Sequence, residues 1–401
     1  MSAAPPPTSS RHALEQAAAW IDANVQRLGA EDVPLPALAG RVLAAEIVAT
    51  SDEPACARAA IDGFAVRADE TVGASTYNPL AFRIVGPDAP VPPQGVARLN
   101  AGDPLPPGTD AVVPFDHVHV AGTGTCEIIE ATPPGHDVEP ARSEFARGTQ
   151  VASAGRVVTP ADLGLLALAG VASASAVRRP RVELVLTGRD VAPNAGRARD
   201  TDGPVLRALI ERDGGDVADT RRIGRDHAAL REAFAVPGLD AIIVAGGTGR
   251  GPDDATVSTL AELGDAAVRD VALSPGGTAA LGRAPNGAVA LLLPGRPAAC
   301  LWSYELIASR AIRRLAGRDT GLPFASRTMA LARKIVSAIG VTEIFPVSRI
   351  DDGRVEPVTT VARDSLMALA EADGFVIVPE SSEGFPTGAA VTVYLLRPIA
   401  P

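Results

Sequence analysis

The densest run of residues able to do chemistry is Ala245-Gly246-Gly247-Thr248-Gly249-Arg250-Gly251-Pro252-Asp253-Asp254-Ala255-Thr256. Four glycines directly behind an apolar stretch leave backbone N–H groups unshielded, so an anion can approach closely. Asp253 and Asp254 add hard oxygen donors of the kind that hold Mg2+ beside phosphates. A plain glycine-rich turn with two solvated carboxylates would satisfy the same residues. A second pattern is Leu293-Pro294-Gly295-Arg296-Pro297, a stiff elbow whose Arg296 can present a planar fork to a phosphate at a helix start. A surface arginine in a turn is the alternative there. The third, Ala60-Ile61-Asp62-Gly63-Phe64-Ala65-Val66, sets a carboxylate before glycine between apolar residues. On its own it reads as a turn former.

These groups need elements to hold them. Val182–Leu186 reads as a buried strand closing on Thr187-Gly188, followed by a helix from about Pro204 to Asp213. Ala241–Val244 is a second strand, closing on Gly246-Gly247. Val289–Leu293 is a third, closing on Pro294-Gly295 and followed by a helix through Arg314. Strands alternating with helices, each strand ending on glycine, imply a parallel sheet with its ligand crevice at the carboxyl ends. All three strand ends should therefore converge on one sheet edge.

Upstream, Ser9 or Ser10 can cap a helix from about Arg11 to Leu28, with Leu14, Ala17, Ala18, Ile21, Val25 and Leu28 on one face. A short helix fits Leu38 to Val48. From about Ser51 to Glu144, short alternating runs such as Ala81–Val85 and Glu127–Glu130, broken by Pro and Gly, read as a β-rich module. Residues 160–178 read as a short helix leading into a basic junction, Arg178, Arg179 and Arg181. From about Leu322 alternating strands return, with a short helix near Ser365–Ala372. The expected divisions are 1–50 with 145–178, 51–144, 179–318 and 319–401.

The 401 residues exceed one ordinary core, so several domains are expected. With 37 basic against 47 acidic residues, net charge −10, no broad positive field exists to attract a nucleic-acid backbone or an anionic membrane surface. Cys56, Cys126 and Cys300 are widely spaced, which argues against a zinc cluster or a disulfide framework. The N-terminus lacks the pattern of a signal peptide, and no stretch of about 18 apolar residues occurs. A cytoplasmic protein is expected.

Taken in order, these motifs resemble the molybdopterin molybdenumtransferase family, typified by MoeA and the gephyrin E domain. The resemblance runs from Asp32-Val33-Pro34-Leu35 and Gly40-Arg41-Val42-Leu43-Ala44, through Ala60–Val66 and Ala101–Val113, to Arg179-Pro180-Arg181-Val182. It continues with Thr187-Gly188, the glycine loop, Ser274-Pro275-Gly276 and Leu293-Pro294-Gly295, covering residues 11–375. It implies a multidomain α/β fold: a central MogA-like three-layer α/β/α domain with a parallel-rich sheet, an inserted β-rich domain and a C-terminal β domain. It also implies an L-shaped homodimer whose active cleft lies between subunits. The implied reaction binds adenylylated molybdopterin, cleaves the adenylyl group with Mg2+ and delivers molybdate to the dithiolene. Carried over by motif, the catalytic residues are Asp62, Glu144, Asp190 and Asp254, with Asp190 and Asp254 on the metal. The cofactor-binding set is Thr187, Gly188, Gly246, Gly247, Thr248, Gly249, Arg250, Gly251, Ser274, Gly276, Pro294, Gly295 and Arg296. Contact with molybdoenzymes or other cofactor-assembly proteins is a further implication.

The chain departs from the family pattern at several sites. The family's Lys-Pro-Gly-Lys reads Ser274-Pro275-Gly276-Gly277, losing both lysines, and Ala101 replaces a Thr. An acidic position is Arg225, with Asp226 shifted by one, and the Asn of Leu-Pro-Gly-Asn-Pro is Arg296. Arg250, Arg283 and Arg296 are the cations that could stand in, Arg296 first. The glycine loop is closer to that of the MogA-type molybdopterin adenylyltransferases. Two competing readings follow: a non-catalytic pterin-binding or chaperone-like paralogue, and adenylyl transfer to molybdopterin.

Overall fold

The computed structural model describes residues 12–86, 89–122, 124–191, 200–358 and 365–397. They pack as two units: Met1–Glu31, Gly40–Val42 and Ala176–Pro401 form one, Asp32–Ala39 and Leu43–Ser175 the other.

The first unit opens with helix α1 (Leu14–Asn24), which buries Ala17 and Ile21 as its helical spacing requires; the expected cap at Ser9 or Ser10 lies outside the described residues. In the second unit, six strands form one sheet: β1 (Gly63–Val66), β2 (Leu80–Val85), β3 (Gly95–Leu99), β4 (Ala111–Pro114), β5 (Val118–Ala121) and β6 (Thr125–Ile128), in the order β4-β1-β3-β2-β6-β5. Helix α2 (Pro160–Leu168) follows, capped by Thr159, whose hydroxyl accepts from the Asp162 N–H. Two helical expectations are corrected here. A 3-10 turn at Leu35–Ala37 ends before residue 38, and over 38–48 the chain makes no helix, only a two-residue strand at Ile47–Val48, because Gly40 at φ +72 breaks the run. Over 160–178 the helix stops at Leu168, Gly170 takes φ +72, and Ser173–Val177 is extended.

The rest of the first unit carries the site. Its strands are β7 (Arg181–Thr187), β8 (Asp216–Gly224), β9 (Ala241–Ala245), β10 (Asp265–Val268), β11 (Leu273–Ser274), β12 (Ala280–Arg283) and β13 (Val289–Leu293). Its helices are α3 (Asp202–Arg212), α4 (His227–Ala235), α5 (Thr256–Leu263), α6 (Pro297–Ser303) and α7 (Ser309–Leu315), with a π turn at Tyr304–Ala308 between the last two. The central sheet runs β8-β7-β9-β13-β12-β10, the first four strands parallel. Period two along the strands explains the three layers. Val182, Leu184, Leu186, Ile243 and Leu291 pack under α1, α3 and the α6–α7 helix. Val185, Ile242, Val244 and Leu292 pack under Leu230 and Phe234 of α4 and Leu260 of α5. Strands buried on both faces read as continuous apolar runs, as β9 and β13 do and as β7 does apart from the buried Glu183.

Under this sheet α3 is tied to the π turn by a buried ion network. Arg212 grips Glu305 with two contacts of 2.7 and 2.8 Å, and Asp213, fully buried, takes Arg212, Arg313 and the Tyr304 hydroxyl. The C-terminal sheet comprises β14 (Ser326–Leu331), β15 (Thr342–Arg349), β16 (Arg354–Pro357), β17 (Gly374–Val378) and β18 (Ala390–Leu395), with β11 paired to β15 at its edge. Pairing of β15 with β17 closes these five strands into a ring. Helix α8 (Leu366–Glu371) precedes β17, and Phe375 packs edge-on to Trp302, ring centres 4.6 Å apart. Among the described residues no helix is long and apolar enough to cross a membrane.

Candidate functional site

Register decides where the site falls. Leu186, Ala245 and Leu293 are partners in one row across β7, β9 and β13. The turns that follow, Thr187-Gly188, Gly246-Gly247 and Pro294-Gly295, therefore leave the sheet side by side, as the strand-ending glycines predict. After β7 the chain goes to β8 on one side and then to β9 on the other, so a crevice opens where the strand order reverses.

Glycine is required at its floor. A Cβ on Gly246 would stand 2.2 Å from the Thr187 carbonyl oxygen, and one on Gly295 would lie 3.1 Å from the Gly246 Cα. Only bare backbone lets the strand ends approach this closely. Thr187 donates to the Gly224 carbonyl, Gly188 N–H to the same oxygen at 2.8 Å, and Thr256 to the Gly246 carbonyl at 3.0 Å. These bonds hold the turns rigid.

Two adjoining pockets form the crevice, of ≈ 510 and ≈ 280 Å3, sharing Thr187, Gly188 and Gly295. The larger is lined by Gly246, Gly247, Thr248, Gly249, Asp254, Gly276, Pro294 and Arg296, all expected from the sequence. Gly277, Thr278 and Ala299 also line it. Thr278 meets the buried Thr248 hydroxyl to hydroxyl at 2.9 Å. The smaller pocket takes in Asp190, Arg189, Thr201 and Asp202.

Three of the nominated cofactor-binding residues do not line the crevice. Ser274 belongs to β11, at the edge of the C-terminal sheet. Arg250 is directed to Asp270, 3.2 Å away. Gly251 gives its N–H to the Asp254 carboxylate at 2.9 Å, which closes the loop on itself. Asp253 is engaged by Arg225 and, at 3.7 Å, by Arg189. Of the three arginines offered as substitutes for the lysines, Arg296 alone lines the crevice; Arg283 donates to the carbonyls of Gly287 and Asn24. Asp62 and Glu144 belong to the other unit. There Asp62, exposed, accepts the Ala101 N–H at 2.7 Å, and Glu144, also exposed, donates its N–H to the Glu53 carbonyl at 3.1 Å. A groove of ≈ 800 Å3 in that unit, lined by Val72, Thr132 and Pro133 among others, contains none of the nominated residues.

Asp202 is the carboxylate that motif reading missed. It opens α3 where the sequence suggested a start at Pro204. Burial, with the charge of Asp200 beside it, pushes its carboxyl up to about 6 against an opposing bond from Thr201. A carboxylate kept this uncomfortable suits a cation. Among the described residues no three His, Cys, Asp or Glu side chains form a metal-holding group, but Mg2+ commonly takes one or two carboxylates and completes its shell with water and phosphate oxygens. Asp190 and Asp202 line the smaller pocket and Asp254 the larger.

The shift has a testable sign. The folded protein holds the Asp202 proton up to about pH 6, the unfolded chain only to its usual 3.8. Stability from this group is therefore full below about pH 4 and falls as pH rises to about 6. Asp202→Asn is expected to remove that fall, so that its Tm gains on the wild type across this window. Melting curves at pH 4–8 check it; curves that stay parallel would refute the assignment.

Three family models match: MoeA N-terminal region (domain I and II) over residues 12–170, probable molybdopterin binding domain over 183–314, and MoeA C-terminal region (domain IV) over 328–396. The crevice lies in the second of these. Fold and site thus define a multidomain protein built around a molybdopterin-binding α/β domain. Molybdopterin molybdenumtransferase 2 of Mycobacterium tuberculosis is 30% identical over 387 residues, covering 90% of this chain and 94% of the relative. Molybdopterin molybdenumtransferase of Staphylococcus aureus is 26% identical over 396 residues, covering 92% and 94%. Two crystal structures of molybdopterin biosynthesis MoeA protein from Pyrococcus horikoshii superpose with TM-scores of 0.73. One is 26% identical over 96% of this chain and 99% of that one; the other, at 21% over 96% and 100%, shows the fold alone. The chain belongs to the molybdopterin molybdenumtransferase family, an enzyme class of molybdenum-cofactor biosynthesis.

Proposed function

We propose that this enzyme binds adenylylated molybdopterin, releases its adenylyl group as AMP and delivers molybdate to the dithiolene. The observation that carries the reading is the convergence of the three strand-end turns and Arg296 on one crevice at the switch point of the sheet. N–H groups of the glycine turns there offer partial positive charge to phosphate oxygens, and Arg296 offers a full one. Asp190 and Asp254 would hold Mg2+, which when bound neutralises charge developing on the phosphates. Thr248 and Thr278, bonded to each other, present hydroxyls that can turn to a ligand oxygen. The reading keeps Asp62 and Glu144 as carboxylates needed for turnover and a cytoplasmic homodimer as the assembled form. It also keeps the expected four-part division of the chain and delivery of the product to molybdoenzymes or other cofactor-assembly proteins.

A second reading, a paralogue that binds pterin without turnover, is favoured by the crevice position of Gly277, where the family carries a lysine. Incubating the purified protein with adenylylated molybdopterin, molybdate and Mg2+ separates them. Release of AMP together with metal incorporation is the expected result. Bound but unreacted substrate would establish the paralogue, and ATP-dependent formation of adenylylated molybdopterin would establish an adenylyltransferase.

A further inference from the structure

Two arginines at the mouth of the crevice have no counterpart among the residues carried over by motif. Arg189 follows Thr187-Gly188 directly, and Arg225 stands where the family carries an acid. Folding brings them together. Strand β8 ends at Gly224, whose carbonyl accepts the Gly188 N–H at 2.8 Å, so the two arginines leave neighbouring strand ends. Both then turn to one carboxylate of the glycine loop, Asp253.

The two contacts are unequal. Arg225 makes a hydrogen-bonded ion pair with Asp253, whereas Arg189 stands 3.7 Å away, beyond hydrogen-bond reach. Asp190 and Asp202 line the same pocket as Arg189. Even so, among the described residues Asp253 is the one carboxylate within ion-pair distance of it. The Arg189 side chain is 77% exposed, against 39% for Arg225. One negative charge thus serves two positive ones, and Arg225 takes most of it. The surplus rests on Arg189. It lines the smaller pocket next to Gly188, which both pockets share, and Arg296 lines the larger. Each half of the crevice therefore has its own guanidinium.

We propose that Arg189 is the second phosphate-binding cation of the crevice, and that Arg225 keeps it available by neutralising Asp253. The inference rests on the crevice binding adenylylated molybdopterin. Adenylylation links two phosphoryl groups, and their oxygens offer acceptors to two guanidinium forks, Arg296 and Arg189. Arg225 acts as a positioning residue. Without it, Asp253 is left to Arg189 and draws that guanidinium away from the ligand.

The test titrates adenylylated molybdopterin into the full chain by calorimetry, without added divalent cation. Arg189→Gln is expected to weaken binding about tenfold or more, as loss of a charge-assisted contact implies. Its Tm should match the wild type, since the side chain is largely exposed. Asp253→Asn should tighten binding, because it releases Arg189 and removes a charge that repels phosphate. Arg225→Gln should weaken binding about threefold, the scale of an exposed ion pair. In the Asp253→Asn background, Arg225→Gln should have no effect, since no carboxylate remains to capture Arg189. If Arg189 only braced the glycine loop through Asp253, then Asp253→Asn would weaken binding as Arg189→Gln does, and that result would overturn the proposal. Full affinity in Arg189→Gln, or an equal loss from Arg225→Gln in both backgrounds, would overturn it too. Wild-type protein that takes up no adenylylated molybdopterin would overturn the crevice reading as well; wild-type binding that survives Arg189→Gln overturns this inference alone.

Discussion

Gly246→Ala is expected to collapse the crevice, with an affinity loss for molybdopterin of about 100-fold or more and a Tm lower by several degrees. Two separate penalties add at this residue. The backbone sits at φ +102, where a side chain costs on the order of 1–3 kcal/mol. The new Cβ would also stand 2.2 Å from the Thr187 carbonyl oxygen and 3.2 Å from its Cγ2, and forced overpacking typically costs about 1–3 kcal/mol more. The clash cannot relax cheaply, because Thr187 is fixed to Gly224 and Gly246 N–H is fixed to the Leu293 carbonyl at 2.9 Å. Relief must push β7 and β9 apart at the ends that carry the ligand turns. Gly238→Ala is the control. Gly238 also has positive φ, +74, but a Cβ there meets nothing within 4 Å. That variant should show the conformational penalty alone and retain affinity. Thermal unfolding and calorimetric titration of the pair check the result, and equal behaviour of the two would remove the close approach as the cause.

Arg296→Ala is expected to weaken molybdopterin binding by about 10- to 100-fold, the worth of a charge-assisted contact of about 1.5–3 kcal/mol. Arg283→Ala should leave it unchanged, because that guanidinium is spent on the Gly287 and Asn24 carbonyls. Restoring the family's lysines separates in the same way. Gly277 lines the crevice, and its new Cβ would meet the Leu273 carbonyl oxygen at 3.1 Å, a contact that a shift of a few tenths of an ångström relieves. Gly277→Lys should therefore tighten binding, most visibly at low salt, where ionic contacts are least screened. Ser274→Lys should add little, since Ser274 lies in β11 outside the crevice lining. Calorimetry on the four variants reads all of this directly. Unchanged affinity in Arg296→Ala would mean that backbone amides alone hold the ligand, and would shift the weight towards a paralogue that no longer takes the adenylylated substrate.

The sequence by itself determined the central sheet and its ligand edge. Ala241–Val244 and Val289–Leu293 are apolar on both faces, and Val182–Leu186 is apolar apart from Glu183, a pattern that fits strands covered by helices on either side. The glycines that end them mark close backbone approach, a requirement set by local sterics. Glu144 and Asp62 could be nominated only by motif, and the β-rich segment holding them was legible from its short alternating runs. The tertiary structure decided what depended on partners distant in the chain. Arg250 sits inside the glycine loop, yet its charge goes to Asp270 and not to the crevice. Ser274 and Gly277 are three residues apart, but strand pairing with β15 takes the first out of the site and leaves the second in it. The helix expected over 38–48 failed because a propensity summed over a window yields to one residue at positive φ, Gly40. Asp202 carries no motif, and its raised carboxyl arises only when α3 is buried against the sheet beside Asp200. Arg189, Arg225 and Asp253 likewise come from three separate stretches of chain. Periodicity and backbone sterics act over a few residues and can be read in order; a charge acquires its meaning from whatever folding places beside it, and that is a property of the packed chain.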